Sequence, residues 1–480
     1  MEFTIMRDVG DDLSLRLEGM GRGDLGSHGG RGGHGGGRRV VAGVLGGVLW
    51  VVCLLGEMRA AEGLESPYVD LRTVMRLAGA NNDEIELARV RHEQTIAESK
   101  QAWQRFWPSL SLGTGYRGHQ GNVQDIAGAV FDARKQQYTV GATVMIDWSP
   151  GDLYYQALVA KQRAVAAEQM VEKSRQDILL EAVERYYDLL AAEADVAVME
   201  DDLRVVKGYA EQLEGAVKAG TAFKADWLRA QTQISRGRLL VRQGQEARDV
   251  AAAKLAETLR LAPETALRPA KADLVPVALM LNRSAEAMVA QAVTERPEVA
   301  AVAAASAAAA LEDKRSRVGP LVPSVQAGYV GGGLGGGFEG DWGNFGGQQD
   351  FFVGLGWKIG PGGLFDRQRR KIAEAQVASA ALQGEQVKAA IGREVVEAGA
   401  RVKSAKDQID ISDEAVATAE EMAALAKDRQ ASQLGVVLEY LLAREELTRA
   451  KRARVAAVAG YNKAQHALAR AVGGIEKAGK

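Results

Sequence analysis

The sequence predicts a mainly α protein with transmembrane β: long α-helical coiled coils joined to four strands per chain, too few to close a barrel without partner chains. Three observations carry this. Apolar helical stripes run far longer than a compact domain allows, four short segments alternate strictly between apolar and small or polar residues, and the whole arrangement occurs twice in 480 residues.

The first 62 residues stand apart. A Gly-rich run, GSHGGRGGHGGGRR (Gly26 to Arg39), leads into the most apolar stretch of the chain, VVAGVLGGVLWVVCLLG (Val40 to Gly56), followed by Glu57 and the small pair Ala60 and Ala61. A basic flank, an apolar core and small residues read as a secretory signal. At about 17 residues the stretch also reaches the lower edge of a membrane span, so a retained anchor is the alternative. Cys53 is the single cysteine, which excludes an intrachain disulfide and a cysteine zinc site, and the bulky Val52 before it disfavours lipid attachment. The formal charge of -2 gives no basic excess for nucleic acid, so no nucleic-acid partner is expected.

The remainder divides into two similar halves, 63–275 and 276–480. VGATVMIDW (Val140 to Trp148) set against VGLGWKIG (Val353 to Gly360) matches Val140 with Val353, Gly141 with Gly354 and Ile146 with Ile359, an offset of 213 residues. The same offset lays Asp226, Trp227, Leu228 and Ala230 on Glu439, Tyr440, Leu441 and Ala443, and Leu255 on Leu468. Each half opens with an amphipathic helix (68–105, then 284–317), continues through two strands, and ends in a very long helix (151–218, then 364–428) and a shorter one (224–261, then 435–472).

In the long helix Leu179, Val183, Tyr186 and Leu190 step by three and four, a helical stripe. About 68 helical residues span roughly 100 Å. Such a helix must bury its stripe against neighbours along its whole length, as coiled coils do. Frequent alanine, as at Ala164, Ala166, Ala167, Ala191, Ala192 and Ala194, lets the helices approach closely.

Strands place side chains alternately on two faces. WPSLSLGTGY (Trp107 to Tyr116) sets Leu110, Leu112 and Tyr116 against Ser109, Ser111, Gly113 and Gly115. The next strand sets Tyr138, Val140, Ala142, Val144, Ile146 and Trp148 against Thr139, Gly141, Thr143, Met145 and Asp147. In the second half Val325, Ala327 and Tyr329 oppose Ser324, Gln326 and Gly328, while Phe351, Val353, Leu355, Trp357 and Ile359 oppose Phe352, Gly354, Gly356 and Lys358. Strands of about ten residues with an apolar, aromatic-ended face match a transmembrane barrel in contact with outer-membrane lipid. The Gly- and Asp-containing stretches 117–136 and 331–348 read as hairpin loops. A soluble sheet with one wet face has the same alternation; two isolated hairpins, however, barely support themselves.

At this point the chain resembles the TolC-like outer-membrane efflux and secretion channels over about residues 68–474. The residues that carry the resemblance are RPEV at Arg296 to Val299, the proline-led strand starts at Pro108 and Pro323, and the paired segments GTAFKADWLRAQ (Gly220 to Gln231) and SQLGVVLEYLLARE (Ser432 to Glu445). The resemblance implies a homotrimer with one twelve-stranded barrel in the outer membrane and a helical tunnel in the periplasm. It further implies two partners at the helical tips, a periplasmic adaptor (membrane fusion) protein and an inner-membrane pump. It implies an acidic ring at the tip as well: Asp226 and Glu439 occupy the first acidic position of that pattern. The second acidic position holds Arg229 and Leu442 instead, so closure would rely on one carboxylate ring helped by salt bridges or by an apolar Leu442 ring. For Asp226 the plainer reading is a helix-start acid favoured by the helix dipole.

Nothing points to catalysis, a metal or a cofactor. His28, His34, His92, His119 and His466 show no metal-ligand spacing outside the leader, and no Gly-x-Ser-x-Gly elbow or phosphate-binding loop occurs. The expected function is therefore a passive exit duct from periplasm to exterior in a tripartite efflux or type I secretion system. The rival is a secreted or membrane-anchored structural coiled-coil protein whose hairpins only mediate assembly.

Overall fold

The computed structural model describes residues 68–271, 274–279, 283–338, 343–432 and 435–475. The leader, Cys53 and the apolar stretch before Gly56 lie outside them. A two-residue strand, β1 (Tyr68–Val69), pairs in parallel with β4 (Arg268–Pro269). Between them run α1 (Leu71–Asn81), α2 (Asp83–Gln104), β2 (Ser109–Gln124), β3 (Val130–Trp148), α3 (Pro150–Lys218) and α4 (Lys224–Thr258). The order then repeats with α5 (Ala285–Glu295), α6 (Pro297–Val318), β5 (Ser324–Phe338), β6 (Gly346–Gly356), α7 (Arg367–Ala431) and α8 (Val437–Ala471).

Both opening helices are broken where a single helix was expected. At Asn82 the side-chain oxygen accepts from the Glu84 N–H at 2.8 Å and the side-chain nitrogen donates to the Thr258 carbonyl at 3.2 Å, so one residue ends α1, caps α2 and ties both to the end of α4. At Arg296 the following Pro297 disfavours helical dihedrals, and Arg296 is extended (φ −74°, ψ 132°) before α6 restarts with proline at its first turn.

The 69-residue α3 begins at Pro150, and a left-handed Gly220 (φ 76°) stands just past its end. The Gly220 N–H bonds the Val217 carbonyl and the Thr221 N–H bonds the Ala216 carbonyl, the paired bonds that stop a helix at glycine. Its buried stripe, from Ile178 and Leu179 through Ala182, Val183, Tyr186 and Leu190, forms the largest core with Val69 and Val74, Leu255 and Leu259, Leu267 and Ile475. A second core joins the far ends of both long hairpins.

Residues 274–279, which connect the halves, dock on α8. Asn462 accepts from Val277 N at 2.8 Å and donates to the Val275 carbonyl at 2.9 Å, while Gln465 accepts from Leu279 N at 3.3 Å. Both side chains are fully buried, so these backbone bonds are shielded from water.

The four long strands form one antiparallel sheet in the order β2-β3-β5-β6. They are longer than expected, at 16, 19, 15 and 11 residues. The stretches read as loops are largely paired strand, with Arg117 opposite Gln137 and Gln124 opposite Val130, and only 125–129 turn the first hairpin. Both of their faces are mostly polar or glycine-rich, so their sequence shows no apolar alternation.

Candidate functional site

Two parts of the molecule hold the residues singled out by sequence: the sheet and the tips of the helical hairpins. In the sheet the register decides which side chains share a face. Leu110 lies opposite Val144, Val144 opposite Tyr329, and Tyr329 opposite Phe351, a continuous row across four strands. Tyr116 faces Tyr138; Ile146 shares a row with Ala327 and Val353, and Trp148 a row with Val325 and Leu355. Leu112 pairs with Ala142, and Val140 lies opposite Thr114 and Gly333 on the same side. The apolar faces deduced strand by strand thus coincide on one face of one sheet. Trp357 falls one residue beyond β6, exposed, with its indole N–H donating to the Leu321 carbonyl at 3.1 Å.

Glycine sets how closely the central strands approach. A Cβ at Gly141 would meet the Gly331 carbonyl oxygen at 2.5 Å, and one at Gly332 the Val140 oxygen at 2.1 Å, so side chains there would force β3 and β5 apart. The strands β2 and β6 end the sheet, each with one edge unpaired among the described residues.

At the first tip, the turn 219–223 carries Phe223, 80% exposed, and then Asp226 in the first turn of α4. Asp226 pairs with Arg229 at 2.9 Å. At the second tip Glu439 sits in the first turn of α8 and approaches Arg429, near the end of α7, at 3.7 Å. Val436, Leu438 and Leu442 are exposed beside it. The acids matched by the half-repeat therefore hold equivalent places, each paired with an arginine. Leu228 and Leu441, also matched, do not: Leu228 is 49% exposed and Leu441 only 6%.

Beneath the tips Tyr209 and Tyr440 pack edge to face with ring centroids 4.7 Å apart, and Ala230 and Ala443 are buried in the same core. Burial pushes the Tyr209 hydroxyl up to about 12, with Tyr440 adding to the effect, so it stays protonated. The Tyr209 hydroxyl and the Trp227 indole N–H have no hydrogen-bond partner among the described residues.

An ion-pair arrangement between the halves went unread in the sequence. Along α3 the acids Asp177, Asp188, Asp195 and Asp202 meet Arg470, Lys463, Arg452 and Arg444 of the antiparallel α8. At its end away from the tips, Arg470 also bonds Glu298 at 2.8 Å, and Arg296 reaches Glu298 at 2.6 Å and Glu394 at 2.5 Å. Burial alone would raise the Glu298 carboxyl, but the hydrogen bonds from Arg296 and Arg470 outweigh it and bring it down to about 2. The RPEV motif is therefore the centre of a cluster joining α3, α6, α7 and α8, in which Arg296, Glu298 and Arg470 are shielded while Asp177 and Glu394 reach the surface. The RPEV pattern marks the place in the sequence but not these partners.

Among the described residues no group of side chains could hold a metal ion, and no helix is long and apolar enough to cross a membrane. The model of a protein family described as outer membrane efflux protein matches residues 74–259 and 288–474. No curated protein matches the chain in sequence. Among solved structures, a membrane protein from Pseudomonas aeruginosa is similar over 86% of this chain and 98% of its own, with 19% identity and a TM-score of 0.69. The outer membrane protein VceC from Vibrio cholerae is similar over 84% of this chain and 96% of its own, with 19% identity and a TM-score of 0.67. The Campylobacter jejuni CmeC outer membrane channel is similar over 84% and 86%, with 15% identity and a TM-score of 0.69. At these identities the structural likeness concerns the fold.

Proposed function

The chain belongs to the outer membrane efflux protein family, and on that premise we propose that it forms a trimeric exit duct through the outer membrane, with its helices in the periplasm. Such a protein conducts solutes and catalyses nothing. The observation that carries the reading is the sheet: four strands in register, one continuous apolar face, and two free edges. A free edge in an exported protein invites strand pairing. Pairing β2 of one chain with β6 of the next, three times over, closes twelve strands and leaves room for a passage.

In this arrangement Leu110, Leu112, Tyr116, Tyr138, Val140, Val144, Ile146, Trp148, Val325, Tyr329, Phe351, Val353, Leu355 and Trp357 face lipid. Ser109, Ser111, Gly113, Thr139, Gly141 and Thr143 face the lumen. The apolar residues span 7, 11, 5 and 7 positions on the four strands, and the longest run, Tyr138 to Trp148 on β3, at about 3.4 Å per residue and with strand tilt suits a lipid band about 25 Å tall. The remaining paired residues carry the hairpins beyond the membrane.

The tips point toward the inner membrane. Threefold symmetry turns Asp226 and Glu439 into acidic rings at the entrance, each acid steadied by an arginine, with Leu442 close by. The exposed Phe223, Val436 and Leu438 form an apolar docking surface for a periplasmic adaptor, and through it an inner-membrane pump supplies the energy. Extraction from outer membranes should need detergent and yield a trimer that dissociates on heating. Recovery as a soluble periplasmic monomer would defeat the proposal.

A further inference from the structure

The outer ends of β2 and β3 differ in charge between their two faces. On the face that continues Ser109, Ser111 and Thr139, the paired stretch presents Arg117, His119, Gly121 and Val123 from β2 and Phe131, Ala133, Lys135 and Gln137 from β3. It carries two fixed cations, a histidine and no acid. The opposite face holds Gln120, Asn122, Asp132, Arg134 and Gln136.

We propose that Arg117, His119 and Lys135 form an anion-binding collar at the extracellular mouth, which takes soluble multivalent anions, phosphate- or carboxylate-bearing, as they leave. The proposal rests on the trimeric duct, in which this face lines the lumen. Register sets His119 directly opposite Lys135, with Arg117 diagonal to it. Such neighbours lie about 5 Å and about 7–8 Å apart at their first side-chain carbons, so the long Arg117 and Lys135 side chains reach one multivalent anion together.

Cations placed this close repel one another and weaken a sheet unless something neutralises them. Among the described residues nothing does. All three side chains are exposed, and none makes an ion pair among the described residues. On β5 Gly336 stands beside Gln137 and the exposed, uncharged Phe338 beside Lys135, so β5 adds an aromatic wall to this face but no acid. Three chains bring three such clusters around one opening, where their fields add and draw anions in. The acidic rings proposed at the far end favour cations, so the two ends of the duct differ in sign. A lipid phosphate would meet the outward Arg134 instead, so the two sources of phosphate chemistry fall on opposite faces of one hairpin.

The test uses the full trimer in planar bilayers of zwitterionic lipid, with inorganic tripolyphosphate as the probe. Added from the extracellular side it should block unitary currents, and higher salt should weaken the block. In the Arg117→Ser/Lys135→Ser double variant the concentration for half-block should rise about fivefold or more, while Arg117→Lys should retain the block. Arg134→Ser, one residue from Lys135 but on the other face, should block as the wild type does. A heat-dissociable trimer of each variant reports correct assembly. Wild-type currents with equal block in the double variant, or relief by Arg134→Ser alone, would overturn the collar and leave the duct standing. Absence of any wild-type current would overturn the duct and the collar with it.

Discussion

Asp202 of α3 accepts a 2.8 Å hydrogen bond from Arg444 of α8, with the two side chains only 15% and 14% exposed. It is the rung nearest the tips in a series that continues through Asp195 with Arg452 and Asp188 with Lys463 to Asp177 with Arg470. All acids lie on α3 and all bases on α8, so a slip of one helical turn would break every pair at once. The rungs fix the register of the two halves.

Removing one partner should therefore cost more than removing both. The Arg444 Nε already lacks a partner among the described residues, so Asp202→Ala leaves a nearly buried guanidinium without its carboxylate, at about 3 kcal/mol. Adding Arg444→Leu should recover most of that loss. Thermal melting of the helical signal in the two single variants and the double variant gives the coupling; additive losses would show that the pair does not hold the register.

Glu298 predicts an acid-dependent loss at the cluster it forms with Arg296 and Arg470. Its carboxyl lies at about 2 in the folded chain against about 4.5 when free. A depressed carboxylate stabilises the fold fully above its unfolded value and loses that contribution as pH falls from about 4.5 toward 2. The contribution is of order 3 kcal/mol. Glu298→Gln should melt lower at neutral pH, and its deficit should shrink across that window. A deficit independent of pH would mean that packing, not charge, is lost.

His466 acts in a higher window. It is 1% exposed against Tyr187, with ring centroids 5.7 Å apart, and neither ring nitrogen has a hydrogen-bond partner among the described residues. Burial holds the imidazole down to about 4. The unfolded chain takes up this proton first, so folding loses stability as pH falls from about 6.5 to 4, by roughly 3 kcal/mol at the lower end. His466→Leu should be as stable as the wild type or more so at neutral pH and should flatten the loss between pH 6.5 and 4. An unchanged pH profile would exclude His466 as its source.

How much of this was readable depended on whether a residue faced one medium or two. Tyr138 to Trp148 declared its faces because one is apolar and the other small or polar, and the register of Leu110, Val144, Tyr329 and Phe351 in one row agrees with them. Arg117 to Gln124 declares nothing, since both of its faces are polar or glycine-rich, and by sequence it reads as loop. The break at Arg296 was latent in Pro297, whereas that at Asn82 depends on a hydrogen bond to Thr258, 176 residues away. The pairs between α3 and α8 need the inter-helix register, which helix periodicity alone does not supply. The half-repeat located Asp226 and Glu439 in equivalent turns but could not separate the exposed Leu228 from the buried Leu441.

At the tips, Glu439→Ala should raise single-channel conductance and weaken cation preference in bilayer recordings. The carboxylate would otherwise narrow the entrance and set its sign in three copies. Since Arg429 lies 3.7 Å from it, Arg429→Ala should move cation preference the opposite way by unmasking the acid. Currents unchanged in both variants would remove Glu439 from the entrance.

The lipid assignment is tested most directly on β6, where the proposed duct would turn neighbouring residues to opposite media. Val353 shares a row with Ala327 and Ile146 on the apolar face, while Gly354 lies opposite Gln326 on the other. An arginine facing the bilayer midplane costs a barrel about 2–4 kcal/mol, falling toward zero at the membrane surface. Val353→Arg should therefore reduce the heat-dissociable trimer recovered from outer membranes, whereas Gly354→Ser, whose added Cβ meets nothing within 4 Å, should leave it unchanged. Trimer yields equal in the two variants would mean that both faces of β6 are wet, and the apolar row from Leu110 to Phe351 would then need a protein partner instead of lipid.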